Sequence, residues 1–308
     1  MWVECIPNFS EGKDRKVLEN ILAAAEGAGA RVLGMEGDVD HNRSVMTLAG
    51  DGEMVLEAVF RAAEVAVRDI DLTRQSGTHP RLGAVDVVPF VPLGATPMAY
   101  AVDLATRFGQ RVGEALQVPV YLYEQAASRL ERRNLADVRR GQFEGLATRM
   151  LADPPDFGPK TPHLTAGAMA VGARFPLVAF NVFLTTVDLD IARAVARAVR
   201  GSSGGLVGVK ALAMDTVHQG RVQVSLNLVD YPTTSLPAAI EMVRREALRY
   251  GVSIAKTELI GLMPAEAMVD SLRYYLQLPE FKAEQIVELA LAGSEFAPRR
   301  KISEGHQA

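Results

Sequence analysis

Apolar residues recur along the chain with two different periods, and the order in which these periods alternate sets the expected fold. Val3 to Pro7 is a short apolar run that reads as a first strand. Asp14 stands where a helix N-cap belongs, ahead of Val17, Leu18, Ile21, Leu22 and Ala25 at helical spacing. Gly27 and Gly29 stop that helix. Arg31 to Glu36 and Arg43 to Ala49 read as the second and third strands. The turn Gly50-Asp51-Gly52 leads into a second helix with Val55, Val59, Ala62, Ala66 and Ile70 on one face. Ala84 to Val91 is the next strand. Strand, helix, strand, strand, helix, strand is the grammar of ferredoxin-like units, in which helices cover one face of a mostly antiparallel sheet.

A longer helix, Thr96 to Leu116, and a strand, Val118 to Tyr123, extend this half. Glu124 to Asp156 is polar, with short helical pieces such as Glu144 to Leu151. Phe157 to Gly172 is rich in Gly, Pro and Thr and reads mainly as loop; long loops in compact domains are often functional. From Leu177 the same order returns. Leu177 to Leu184 is a strand, Asp188 to Val199 a helix, Val207 to Met214 and Val222 to Leu228 a strand pair, Ser235 to Tyr250 a helix and Ser253 to Ile260 a strand. Helices from Pro264 to Leu276 and from Ala283 to Ala292 follow. The repeat is one of architecture, without residue-level identity. The expected fold is α/β (α+β) in two subdomains, 1–175 and 176–308. Each is built on a βαββαβ-like unit, with mixed or antiparallel sheets and helices packed on them.

Composition narrows the function. The chain has 308 residues, 48% hydrophobic and 23% charged, with a formal net charge of -4. That balance argues against the basic footprint of a nucleic-acid binder. No apolar run approaches the roughly 18 residues of a membrane-spanning helix, so no membrane partner is expected. The start of the chain lacks the pattern of a secretory signal, and Cys5 is the one cysteine, so a reducing, cytoplasmic setting is the expectation. Cys5 falls in the first predicted strand and reads as core. No Cys-x-x-Cys or His-Glu-x-x-His is present, and the five histidines are scattered, so no metal is expected. Gly201 to Lys210 only superficially resembles a phosphate loop, because it leads into a strand instead of following one. No serine occupies a nucleophile elbow. For an enzyme, acid–base chemistry is then the better-supported expectation.

Three polar clusters carry candidate chemistry. The first is Asn8-Phe-Ser-Glu-Gly12, at the end of strand one. The second is Asp38-Val-Asp-His-Asn-Arg-Ser44, between strands two and three. The third, Ser76-Gly-Thr-His-Pro-Arg81, sets His79 in a tight Gly/Pro loop with Arg81 two residues on. Imidazole is the one side chain that both gives and takes a proton near neutrality without a perturbed pKa. Each cluster alone also fits an ordinary turn or surface loop. In the expected architecture all three leave strand ends and can meet at one edge of the sheet.

Taken together, these clusters resemble the formiminotransferase family. Val-Glu-Cys-Ile-Pro-Asn-Phe-Ser-Glu-Gly at 3–12, Asn42-Arg43-Ser44-Val45, and His79-Pro80-Arg81-Leu82-Gly83-Ala84 with Asp86, Pro89 and Phe90 carry the likeness. It continues through Phe108-Gly-Gln-Arg111, Val118 to Tyr123, Pro155-Asp-Phe-Gly-Pro159, Gly172-Ala-Arg174 and Ala179-Phe-Asn181. It is thinner at Asn227-Leu-Val-Asp230 and Leu259-Ile-Gly-Leu262. The resemblance implies two α/β subdomains in a homodimer. It implies transfer of a formimino group between N-formimidoyl-L-glutamate and tetrahydrofolate, in histidine breakdown. Tetrahydrofolate is then a co-substrate and no metal is needed. The family's catalytic histidine maps onto His79. Its folate-contacting stretch maps onto Gly158, Pro159, Lys160, Thr161, Pro162, His163, Leu164, Thr165, Ala166 and Gly167. Residues 160–166 differ locally from the family's animal members, while Gly158, Pro159 and Gly167 keep its pattern.

In that chemistry Asp40 or Asp86 supports His79, and the sequence does not choose between them. Asn8, Asn42, Arg43 and Arg81 are the candidates to hold the formimino and carboxylate groups, since an arginine fork suits a carboxylate. Two alternatives share these residues: transfer of a formyl group in the same fold, and folate binding without turnover. An RNA-binding module ranks last, because aromatics are only 6% and the chain is acidic.

Overall fold

The computed structural model describes residues 1–39, 41–75, 77, 80–216 and 220–296, with side chains through residue 292. The chain divides into two compact units, Met1–Phe175 and Pro176–Ala308.

The first unit is built on a mixed sheet. β1 (Trp2–Cys5) and β2 (Asn8–Phe9) are successive pieces of one line. Both pair antiparallel with β4 (Arg43–Asp51) on one side and β5 (Val85–Pro92) on the other. The single strand expected over Val3 to Pro7 is therefore broken at Ile6 and Pro7. Proline has no N–H to give to a ladder; its carbonyl still accepts from Met46 N at 3.0 Å. β3 (Arg31–Asp38) lies outside β4. These strands give the order β3, β4, β1/β2, β5, which is the ferredoxin-like arrangement. β7 (Met169–Ala173) then adds in parallel to β5, and β6 (Val120–Glu124) in parallel to β7.

β7 corrects the reading of 157–172 as mainly loop. Met-Ala-Val-Gly-Ala shows no alternation because both faces of this strand are covered, as is usual for parallel strands. Its glycine has a packing reason: a Cβ at Gly172 would stand 2.6 Å from the Tyr123 ring.

Three helices cover one face of the sheet. α1 (Arg15–Glu26) starts where Asp14 accepts from the Lys16 and Val17 amides. α2 (Gly52–Asp69) is capped by Asp51, and α3 (Met98–Ala115) follows β5. Ile21, Val55, Val59, Leu104 and Phe108 from these helices pack on Val3, Cys5, Phe9, Met46, Val88 and Phe90. Cys5 is fully buried there. On the second face, α4 (Leu135–Val138) and α5 (Leu146–Ala152) lay Val138, Leu146 and Met150 over Val87, Tyr121, Tyr123 and Ala170.

The second unit is a four-stranded antiparallel sheet. Its order is β11 (Ile254–Ile260), β8 (Val178–Leu184), β10 (Arg221–Leu228), β9 (Val209–Thr216). This is the same ferredoxin-like order. α6 (Leu189–Val199) and α7 (Leu236–Leu248) bury Ala192, Val195, Val199, Ala239 and Val243 against Val178, Val182, Val222 and Val224. Gly201 to Lys210 connects α6 to β9 and contains a 3-10 turn. α8 (Ala265–Tyr275) and α9 (Val287–Phe296) follow. Among the described residues no helix is long and apolar enough to cross a membrane.

Candidate functional site

The polar clusters leave the first unit's sheet along one edge. There β2 ends, β4 begins, and the parallel strands β5, β6 and β7 begin. Ser10 N donates to Ala84 O at 2.9 Å and Ser10 Oγ to Gly83 O at 2.7 Å, so the first cluster sits on the start of β5. Asn42 Oδ1 accepts from Gly12 N at 3.0 Å, which joins the second cluster to the first. Asn42 takes a positive φ of 50°, a conformation asparagine tolerates better than most residues. Gly12 lies so close to this turn that a Cβ would stand 2.2 Å from Asp38 O. Gln75 completes the link. It receives a bond from Asn42 Nδ2 at 3.3 Å and gives one to the Glu11 carboxylate.

His79 lies outside the described residues, as do Asp40, Ser76 and Thr78. The residues that flank His79 are placed. A Cβ at Gly77 would meet His41 O at 2.5 Å, so that residue rests on the second cluster. Arg81 donates to Gln75 O at 3.1 Å and pairs with Glu144 at 2.9 Å, while its own carbonyl accepts from Phe143 N at 2.9 Å.

Asp86 reaches this edge through an irregularity in the sheet. Asn8 pairs with Val87 and Phe9 with Val85, so β5 carries one extra residue, and that residue is Asp86. Bulges of this kind re-aim a side chain. The Asp86 carboxylate is buried, accepts from Leu82 N at 2.8 Å and forms an ion pair with Arg139, the C-cap residue of α4. Arg43 opens β4 on the face opposite Met46 and Leu48. Burial, and then the positive charge of Arg139, hold the Arg43 pKa below the ordinary guanidinium value, with Asp86 and Asp38 opposing. The Nε atoms of Arg43, Arg81 and Arg139 are all buried with no hydrogen-bond partner among the described residues. Asn8 is buried, and its amide donates to Ile6 O at 2.8 Å, which fixes the turn at the break between β1 and β2.

The residues 2–174 match the family model described as the formiminotransferase domain, N-terminal subdomain, and residues 179–303 match the one described as the formiminotransferase domain. The chain belongs to the formiminotransferase family. It is 44% identical over 295 residues to a glutamate formimidoyltransferase of Streptococcus pyogenes serotype M1, covering 94% of this chain and 99% of that one. It is 44% identical over 291 residues to a glutamate formimidoyltransferase of Thermoplasma acidophilum, covering 93% and 96%. A formimidoyltransferase-cyclodeaminase of Mus musculus is 37% identical over 281 residues, which span 89% of this chain and 52% of that protein.

In this formiminotransferase the stretch Gly158–Gly167 divides in two. Gly158, at φ 80°, rests on the Val118 carbonyl at the approach to β6, with Pro159 beside it. Lys160, Thr161 and Leu164 are exposed. From His163 onward the stretch turns back onto Leu72 and the residues that lead into β5. His163 and Gly167 exchange backbone bonds at 2.9 and 3.0 Å, and Nδ1 of His163 accepts from Ala166 N at 3.0 Å. Leu72 N donates to Thr165 O at 2.9 Å, and Ala84 N to Ala166 O at 3.0 Å. Pro162 leads into this turn. The edge thus gathers Asn8, Asn42, Arg43, Arg81 and Asp86 with residues 163–167.

Sequence reasoning passed over three participants: Glu11, Gln75 and Arg139. Glu11 and Gln75 were visible as polar residues within or beside the recognised clusters. Arg139 had one usable mark, the Asn134 N-cap that starts α4 five residues earlier. A cavity of about 850 Å³ near α4 and α5 contains none of the expected site residues. Its arginines 132 and 149 are already paired with Asp153 and Asp156. Among the described residues no three His, Cys, Asp or Glu side chains converge as a metal-binding group.

Proposed function

We propose that the chain transfers a formimino group between N-formimidoyl-L-glutamate and tetrahydrofolate, with His79 moving the proton. The observation that supports this most is the gathering of Asn8–Gly12, Asn42–Arg43 and 163–167 around Arg81–Ala84, immediately after His79. Near-complete coverage by relatives named glutamate formimidoyltransferase supports it independently.

The attacking amine forms a bond to the formimino carbon, and the bond from that carbon to the glutamate nitrogen breaks. The attacking nitrogen must lose a proton and the departing nitrogen must gain one. One imidazole near neutral pKa serves both steps, first as base and then as acid. Asn42 and Arg43 hold donor groups, and residues 163–167 line the folate side. Asp86 keeps the adjoining backbone and Arg139 in place. Holding both reactants in register supplies a large part of the rate. A role in histidine degradation, a cytoplasmic setting and a homodimeric state belong to the same proposal.

His79→Gln tests it. Turnover should fall by roughly 10²–10⁴-fold while the circular dichroism spectrum is kept. A folded variant with undiminished turnover refutes the assignment. Formyl and formimino donors are separated by supplying each in turn and following the folate absorbance; transfer from the formimidoyl donor alone is expected.

A further inference from the structure

We infer that Arg139 and Arg43 form a two-guanidinium clamp for one carboxylate of the glutamate donor, with Asp86 holding Arg139 in place. This rests on the formimino-transfer reading.

Arg139 projects from the end of α4 beneath the sheet edge, and its side chain is only 16% exposed. One Nη atom is bound to Asp86, while Nε is buried with no partner among the described residues. Arg43 approaches the same place from β4. Among the described residues, Asp86 and Asp38 are the acidic groups that act on it, and neither forms an ion pair with it. Two guanidiniums thus act on the buried carboxylate of Asp86, which pairs with Arg139. The strand register supports the placement: Asn8 lies between Val45 and Val87, so the start of β4 and the bulge of β5 are two strands apart across β2. Each guanidinium keeps a buried Nε with no acceptor among the described residues. Such groups in a half-buried site favour an anion with paired oxygens, and a carboxylate fits the planar fork. The donor carries two carboxylates. Folate ends in a glutamate as well, so a clamp on the donor must leave KM for tetrahydrofolate unchanged.

The test uses donors on the intact protein. N-formimidoyl-L-glutamine and N-formimidoyl-L-isoglutamine each replace one carboxylate by an amide. With the wild-type chain, one of the two amides should raise KM by about 10–100-fold, the range of a lost charge-assisted contact. Arg139→Lys keeps a cation beside Asp86 but removes the fork. It should raise KM for N-formimidoyl-L-glutamate to a similar extent, leave KM for tetrahydrofolate within about threefold, and add little further penalty with the sensitive amide donor. Penalties that multiply for the two changes would overturn the clamp. So would a wild-type KM indifferent to both amides, a measurement that needs no variant to fold. A wild-type chain that transfers no formimino group at all would instead overturn the underlying reading, and the clamp with it.

Discussion

Gly83→Ala is the sharpest test of how the approach to β5 and the 163–167 segment are joined. A Cβ at Gly83 would stand 1.9 Å from Ala168 O and 2.9 Å from Ala166 O. An ordinary carbon–oxygen contact needs roughly 3.3 Å, so the two backbones must part by roughly 1.4 Å. Two hydrogen bonds bridge that gap, Ala84 N to Ala166 O at 3.0 Å and Ala168 N to Leu82 O at 3.2 Å. Neither survives such a shift. All four residues are buried, so water cannot fully replace the lost partners. At about 1–3 kcal/mol for each of the two buried N–H donors left without a partner, the change costs about 2–6 kcal/mol. With a urea dependence at the upper end for a chain of this size, about 3 kcal/mol per molar, the unfolding midpoint should drop by about 0.7–2 M. The displaced turn should also raise KM for tetrahydrofolate by more than it raises KM for the amino-acid donor. Urea unfolding followed by circular dichroism, with steady-state kinetics on the folded fraction, measures both. A midpoint within about 0.3 M of wild type, with both KM values unchanged, refutes this packing.

Two further outcomes follow from burial in the same sheet. Burial raises the Glu4 carboxyl above its usual value, and Arg174 only partly opposes this. The group is neutral in both states below about pH 4.3, and stability is lost as the pH rises past that point, because the unfolded chain ionises first. Glu4→Gln should therefore raise the urea midpoint at pH 7.5 and leave it unchanged at pH 4; a variant less stable than wild type at pH 7.5 refutes the assignment. Burial, and then the charge of Glu4, push the Cys5 thiol well up. An aromatic disulfide reagent at pH 8 should label no thiol in the native chain and one per chain in urea, and prompt native labelling would contradict the buried strand.

The two ferredoxin-like units were legible because helices alternate with half-buried antiparallel strands, whose periods differ. In β4, Met46 and Leu48 alternate with Val45 and Thr47, and the pattern reads directly. β7 was not legible because its small residues are covered on both faces and show no period. The break at Pro7 could have been anticipated, since proline cannot donate to a central ladder. The meeting of the three clusters at one edge followed from the strand order, because turns between adjacent strands of such a unit share an end. The bulge that places Asp86 had no counterpart in the sequence. Val-Asp-Val-Val reads as a continuous run, and only the pairing with Asn8 and Phe9 shows the extra residue.

That bulge links the fold to the charge balance of the site. Without it, the register of β5 would direct Asp86 toward the apolar layer of Val85 and Val88, where an ionised carboxylate has no partner. With it, the carboxylate meets Arg139 and Leu82 N on the opposite face. Arg81 is matched by Glu144, and Arg139 by Asp86. Arg43 forms no ion pair with a described residue, and Asp86 and Asp38 act on it from farther off. In the clamp proposed above, a donor carboxylate supplies acceptors to the buried Nε groups that Arg43 and Arg139 leave unpaired among the described residues.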